Sequence, residues 1–216
     1  MNIIEPNVEF ITPMDFNIGR ETMKRIEQIG RVCYKSEGSI TEDSYVRFIK
    51  GLINRGHESV LEHAVFTVKF VCDRGVSHEI VRHRLASYSQ ESTRYCNYSN
   101  DKFGNEITVI RPCFFEVGSE LYNVWRDSCS DAESAYFALL AYGATPQEAR
   151  SVLPNSLKTE VVMTANVREW RHFFRLRCSQ AAHPQMREVA IKGLKKFWYY
   201  MQPLFDDIWV DVMTKG

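Results

Sequence analysis

The chain has 216 residues, 44% of them hydrophobic and 12% aromatic, enough apolar material for one sizeable core. Its 27 Lys and Arg balance 27 Asp and Glu, which excludes a general nucleic-acid coat protein, whose affinity comes largely from excess cations set against phosphate. The six cysteines are scattered, with no C-x-x-C pair and no secretory leader, and no apolar run approaches the ~20 residues that span a bilayer, so a soluble, cytoplasmic protein with reduced thiols is expected.

The elements follow in chain order. Tyr45, Phe48, Ile49, Leu52 and Ile53 mark one face of a helix that begins near Thr41 and is capped by Gly56, which leaves His57 in a loop. Ala64 to Val71 alternates, with Phe66, Val68 and Phe70 on one side, and reads as a half-buried strand. After a turn at Asp73-Arg74-Gly75, Ser77 is the expected N-cap of a helix carrying Ile80, Val81 and Leu85 inward, with Arg82, His83 and Arg84 in its last turns and a polar loop beyond. A strand at Glu106 to Arg111 ends at Pro112. Leu121, Val124, Trp125, Ala132, Ala135, Tyr136, Leu139 and Leu140 mark a long amphipathic helix that stops near Gly143.

Thr145-Pro146-Gln147-Glu148 has the form of a capping box with proline at the first helical position, so Arg150 belongs to a short helix closed by Pro154. Leu157 to Thr164 reads as a strand through Thr159, Val161 and Met163. Asn166 then caps a helix with Trp170, Phe173 and Phe174 toward the core, Arg168, His172 and Arg175 near one another on a different face, and Arg177 at its end. Pro184 to Met201 is the last predicted helix. Strands interleaved with helices give a mixed α/β (α+β) fold, read as one layered domain over residues 1–216 with a central sheet flanked by helices. From Arg168 to Lys196 eight basic residues face only Glu169 and Glu188, which predicts an electropositive surface.

The most informative segment runs from Arg82 to Tyr95. Arg82-His83-Arg84 leads through a hydroxyl- and amide-rich run to Arg94, and guanidinium forks interleaved with Ser, Gln and Thr suit a phosphorylated, ring-bearing ligand. With Ser92, this segment spells R-H-R-x7-S, which resembles the signature of the flavin-dependent thymidylate synthases. Three other blocks resemble that family in its order: Gly56-His57-Glu58-Ser59-Val60-Leu61-Glu62-His63, Ala149-Arg150-Ser151-Val152-Leu153-Pro154, and the helix from Asn166 and Arg168 to Leu176-Arg177.

The resemblance implies the family's own fold and its activity, reductive methylation of dUMP to dTMP. The carbon comes from 5,10-methylenetetrahydrofolate and the electrons from FAD reduced by NADPH. It also implies a homotetramer with shared active sites. No G-x-G-x-x-G follows a strand, so a Rossmann-type flavin site is not supported. The resemblance instead assigns flavin binding to His57, Ser59, Arg82, His83, Arg84, Gln90, Asn166, Arg168 and His172. For the nucleotide it implies Glu79, Arg82, Gln90, Glu91, Ser92, Thr93, Arg94, Arg150 and Arg177, with Arg94 and Arg150 on the phosphate. Arg177 is the expected catalytic residue, stabilising charge that develops on the uracil ring. No metal and no nucleic acid are expected.

Rival readings exist for several of these residues. Arg177 could be a structural arginine, and Ser92 a nucleophile if a base lay within reach, although hydrogen bonding to ligand is favoured. His183 follows an apparent insertion at Cys178 to Ala182 and has no assigned role. A single-stranded nucleic-acid binder could stack bases on Tyr88, Tyr95, Tyr98, Trp170, Phe173 and Phe174. A zinc hydrolase built on His57, His63, His78 and His83 lacks the i, i+4 spacing of a helical H-E-x-x-H site.

Overall fold

The computed structural model describes residues 1–215. The strands are β1 (Asn2–Ile4), β2 (Asn7–Phe10), β3 (Val65–Asp73), β4 (Ala86–Gln90), β5 (Thr108–Ile110) and β6 (Lys158–Asn166). The helices are α1 (Phe16–Val32), α2 (Ser44–Asn54), α3 (Arg74–Ile80), α4 (Glu120–Ala141), α5 (Pro146–Ala149), α6 (Val167–Arg177), α7 (Pro184–Tyr200) and α8 (Gln202–Lys215). One sheet has the strand order β2-β3-β6-β4, and β1 pairs with β5 in parallel, Ile3 opposite Val109. The fold is the mixed α/β class that the sequence predicts.

Contacts divide the chain into two compact units. One comprises Met1–Asn7, Phe70–Arg82 and Tyr88–Val162, and the other Val8–Lys69, His83–Ser87 and the chain from Met163 onward. In the first unit, Tyr98, Ile107, Val109, Cys129, Tyr136, Ala149 and Leu157 form the core. The second is built around aromatics: the Phe197 ring lies 5.1 Å from Trp170, 5.3 Å from Phe174 and 5.2 Å from Phe205. Tilted and edge-on pairs of this kind add about 0.5–1.5 kcal/mol each beyond their buried area.

Several local predictions hold. Gly56 takes φ +69°, the left-handed position after α2. The Glu148 carboxylate accepts from the Thr145 backbone N–H at 2.8 Å. Thr159, Val161 and Met163 point inward from β6. The Asn166 Oδ1 accepts from the Glu169 N–H at 2.9 Å, capping α6.

Others are corrected. Asp73, not Ser77, caps α3, because its carboxylate accepts from the Val76 N–H at 2.7 Å while the Ser77 hydroxyl donates to the Arg74 carbonyl. The helix therefore ends at Ile80, whose carbonyl accepts from the Tyr88 hydroxyl at 3.0 Å. Arg82, His83 and Arg84 lie beyond that end rather than in its last turns, and Val81 and Leu85 are exposed. The polar loop expected next contains strand β4, where Glu91 continues the pairing by donating its N–H to Glu160. On α4, Leu121 and Val124 are 65% and 67% exposed, while the predicted Tyr136 joins Cys129 in the core and Trp125, Leu139 and Leu140 pack against it as expected. A further helix, α8, follows the predicted last one because the chain breaks at Met201 and restarts with Pro203 in a first turn, where its missing N–H costs nothing.

Candidate active site

Three of the sequence blocks meet around α6. At its N-terminal end Arg168 donates to Glu62 at 2.6 Å, and further along Arg171 and Arg175 donate to Glu58, both at 3.2 Å. These bonds hold the 3-10 turn Glu58–His63 against the helix. The turn begins at His57, and His57, Ser59, Arg168 and His172 are all exposed around it. Asn166 spends its carboxamide oxygen on the helix cap, so its N–H2 group is what it can offer a ligand.

The predicted electropositive surface is corrected here in its first part, along α6. Arg171 is fully buried, with its Nη atoms on the Asp207 carboxylate at 2.9 and 2.7 Å and a further bond to the Leu204 carbonyl. Arg175 also reaches Asp207, at 3.1 Å. Acids distant in sequence thus oppose Arg168, Arg171 and Arg175, three of the eight basic residues of the stretch. Burial pushes the Asp207 carboxyl up, but the hydrogen bonds and charges of Arg171 and Arg175 together hold it below its ordinary value.

The second meeting point is His83. Its imidazole is buried, with Nδ1 3.2 Å from Glu169 Oε1, and Nε2 accepts from Arg177 Nε at 3.1 Å. Burial lowers its pKa, with help from Arg177 and His172 and against the pull of Glu169. Arg82 and Arg84, the residues on either side of it in sequence, are exposed. His83, Glu169 and His172 place ligand atoms within 4.8 Å of one another, close enough for a cation. Arg177, however, already occupies one ring nitrogen of His83 and would set a positive charge beside such an ion.

In the other unit, the Arg150 guanidinium donates to Thr93 Oγ1 at 3.1 Å, so the A-R-x-V-L-P block meets the run that ends at Arg94. Ser92 Oγ accepts from the Arg94 N–H at 3.3 Å, and the Arg94 guanidinium lies 5.5 Å from the Tyr95 ring centre. Gln90 donates to Ser77 at 3.0 Å and to Thr159 at 3.3 Å, and Glu91 pairs with Lys158 at 3.0 Å. These polar residues are therefore held by their own neighbours. Glu79 is half-buried on α3.

Other readings lose ground in this geometry. Burial pushes the Cys178 thiol, next to Arg177, up to about 12 and raises Cys72 and Cys129 as well, so none of these three is an activated thiolate. Trp170, Phe173 and Phe174 are fully buried and cannot stack nucleic-acid bases. Glu169 and Glu58 are the participants that the sequence undervalued, counted only as charges or as part of a motif. The i, i+3 placement of Glu169 after the Asn166 cap is the signal that fixes its position.

The buried Glu169 carboxylate and His83 imidazole run in series to the half-buried Arg177 guanidinium, with Arg168 and Arg175 exposed on the same helix, an arrangement that can offer donors to an anionic ligand. The family described as Thymidylate synthase complementing protein matches residues 18–201. The flavin-dependent thymidylate synthase of Pyrococcus furiosus is 37% identical over 83% of this chain and 76% of its own. That of Mycolicibacterium gilvum is 33% identical over 98% of this chain and 87% of its own. A crystal structure of the UMP/dUMP methylase PolB from Streptomyces cacaoi, bound with 5-Br dUMP, superposes with a TM-score of 0.75 over 95% of this chain and 96% of that one, at 20% identity, a likeness of fold. The chain belongs to the flavin-dependent thymidylate synthase family, and as such is a flavin-dependent methyltransferase. Among the described residues no helix is long and apolar enough to cross a membrane.

Proposed function

We propose that this chain forms dTMP from dUMP, with 5,10-methylenetetrahydrofolate as carbon donor and NADPH as reductant, as a cytoplasmic homotetramer whose subunits share active sites. The observation that carries the reading is the Arg177 guanidinium held through its Nε by His83 at the C-terminal end of α6, where the helix dipole also favours a cation. Set against the uracil edge, it stabilises negative charge developing on the ring as N3–H is lost or O4 polarised, which makes C5 more nucleophilic. The names of the relatives support the substrate, as does the 5-Br dUMP bound to the structural neighbour.

The residues present fit FAD. Arg168 offers a cation for its pyrophosphate, and the Glu62 partner is exposed enough for solvent to screen the pair and let the guanidinium exchange partners. His57, Ser59, Asn166 and His172 supply further hydrogen-bonding groups near the same turn. Bound FAD supplies the two electrons that no side chain can. The family match across residues 18–201 supports one functional domain.

Purified protein is expected to show flavin absorbance that bleaches with NADPH. A colourless preparation that FAD cannot restore would overturn the reading. Arg150→Ala is expected to weaken dUMP binding by about tenfold to a hundredfold, the range for losing a hydrogen bond to a charged group, with little change in FAD affinity. Equal losses, measured by titration of each ligand, would show that the two sets of residues are wrongly partitioned.

A further inference from the structure

We infer that Glu169 is a positioning residue for Arg177, acting through the imidazole of His83. The inference rests on the reading of Arg177 as the guanidinium that meets the pyrimidine, and it adds the device that aims it.

The argument begins with proton inventory. An arginine Nε can only donate, so the 3.1 Å contact with His83 Nε2 requires a lone pair on that nitrogen. The neutral imidazole then carries its single proton on Nδ1, which faces Glu169 Oε1 at 3.2 Å. Both donations run the same way, from Arg177 to His83 and from His83 to Glu169. The carboxylate thus selects the tautomer that accepts from the guanidinium.

The two ends of this relay are on one helix but cannot touch directly. Arg177 lies eight positions beyond Glu169, a rise of about 12 Å along α6. His83, brought in from another segment, spans the gap. Its side chain is 3% exposed and that of Glu169 8%, so water does not readily replace either partner. The root of Glu169 is itself fixed, because its backbone N–H is the one that Asn166 caps.

Among the described residues, Glu169 and Arg177 face His83, with the His172 ring 5.7 Å away and Phe173 packed edge-on at 4.9 Å. Burial keeps the imidazole neutral toward lower pH than usual. A second proton on His83 would put N–H against N–H and release the guanidinium, so the acid limb of turnover belongs to His83. Removing the Glu169 charge takes away the pull toward the protonated form and moves that limb to lower pH.

The test compares Glu169→Ala and Glu169→Gln with wild type and Arg177→Ala, by flavin content, kcat, KM for dUMP, and the pH profile of kcat. Glu169→Ala is expected to keep FAD and a KM close to wild type while kcat falls about tenfold to a hundredfold, the scale of a misplaced catalytic group. Glu169→Gln, which retains an acceptor for Nδ1–H, is expected to restore most of kcat with its acid limb still displaced downward. Wild-type kcat in Glu169→Ala overturns the proposal. So does an unmoved acid limb in Glu169→Gln, which also decides the matter if the alanine variant does not fold. Normal methylation by Arg177→Ala would instead sink the reading of the site itself. An inactive Arg177→Ala beside a fully active Glu169→Ala sinks only the relay.

Discussion

Arg177→Ala is expected to keep its flavin and lose thymidylate formation by about a hundredfold to a thousandfold, the effect of deleting one preorganised donor at a developing negative charge. The guanidinium is half-buried at the end of α6, and the helix is already anchored by Trp170, Phe173 and Phe174, so truncation removes a donor without removing the scaffold. Of the residues proposed for FAD, His57, Ser59, Asn166 and Arg168 lie on the turn from His57 and at the start of the helix, while the His172 ring lies 5.7 Å from that of His83, the partner of Arg177. Flavin absorbance per protomer and single-turnover formation of dTMP separate the two effects. Normal methylation by this variant would remove the catalytic role. Loss of flavin in parallel with turnover would mean that Arg177 serves the cofactor instead.

Arg171→Met is expected to be the most destabilising change near the site. The native guanidinium has 0% exposure and bonds Asp207 twice, Glu58 once and the Leu204 carbonyl. Methionine fills much of the volume but leaves the Glu58 and Asp207 carboxylates with Arg175 as their remaining shared cation and takes one donor from the Leu204 carbonyl. Removing one partner of a buried ion pair costs about 3–5 kcal/mol. Solvent around Asp207, 40% exposed, and the second contact from Arg175 place the expected loss near the lower end. At about 2–4 °C per kcal/mol for a chain of this size, the melting temperature should fall by roughly 6–12 °C. The pH dependence has a defined sign. Because the native Asp207 pKa lies below its ordinary value, its contribution is present above that ordinary value and is lost as pH falls through the native one. The variant should be the less sensitive of the two to acidification. A melt unchanged from wild type would show that the network contributes nothing.

The sequence was most legible where a local rule decides the structure. The Thr145–Glu148 box, the Asn166 cap and the alternation of β6 need no knowledge of distant residues. It was least legible where burial contradicts composition. Helix α1 was not anticipated because its inner face carries Gly19, Thr22, Glu27 and Gly30 alongside Met23 and Ile26. Glycine is required there by proximity, since a Cβ on Gly30 would lie 2.7 Å from the Phe48 ring. Strand β4, rich in serine, shows no apolar period for the same reason of composition. The candidate site divides along the same line. Motif spacing named His83 and Arg177, but only the fold shows that they touch, and that Glu58, Glu62 and Asp207 pair with Arg168, Arg171 and Arg175 of α6.

The ion pairs of Glu58 with Arg171 and Arg175, which pin the six-residue turn Glu58–His63 to α6, also bear on affinity. A disordered loop that closed over an incoming molecule would forfeit about 1–2 kcal/mol of backbone freedom for every residue it ordered. In this protein that immobilisation precedes the encounter, so a visitor settling against His57 and Arg168 meets a rim already set and keeps more of its contact energy as residence time.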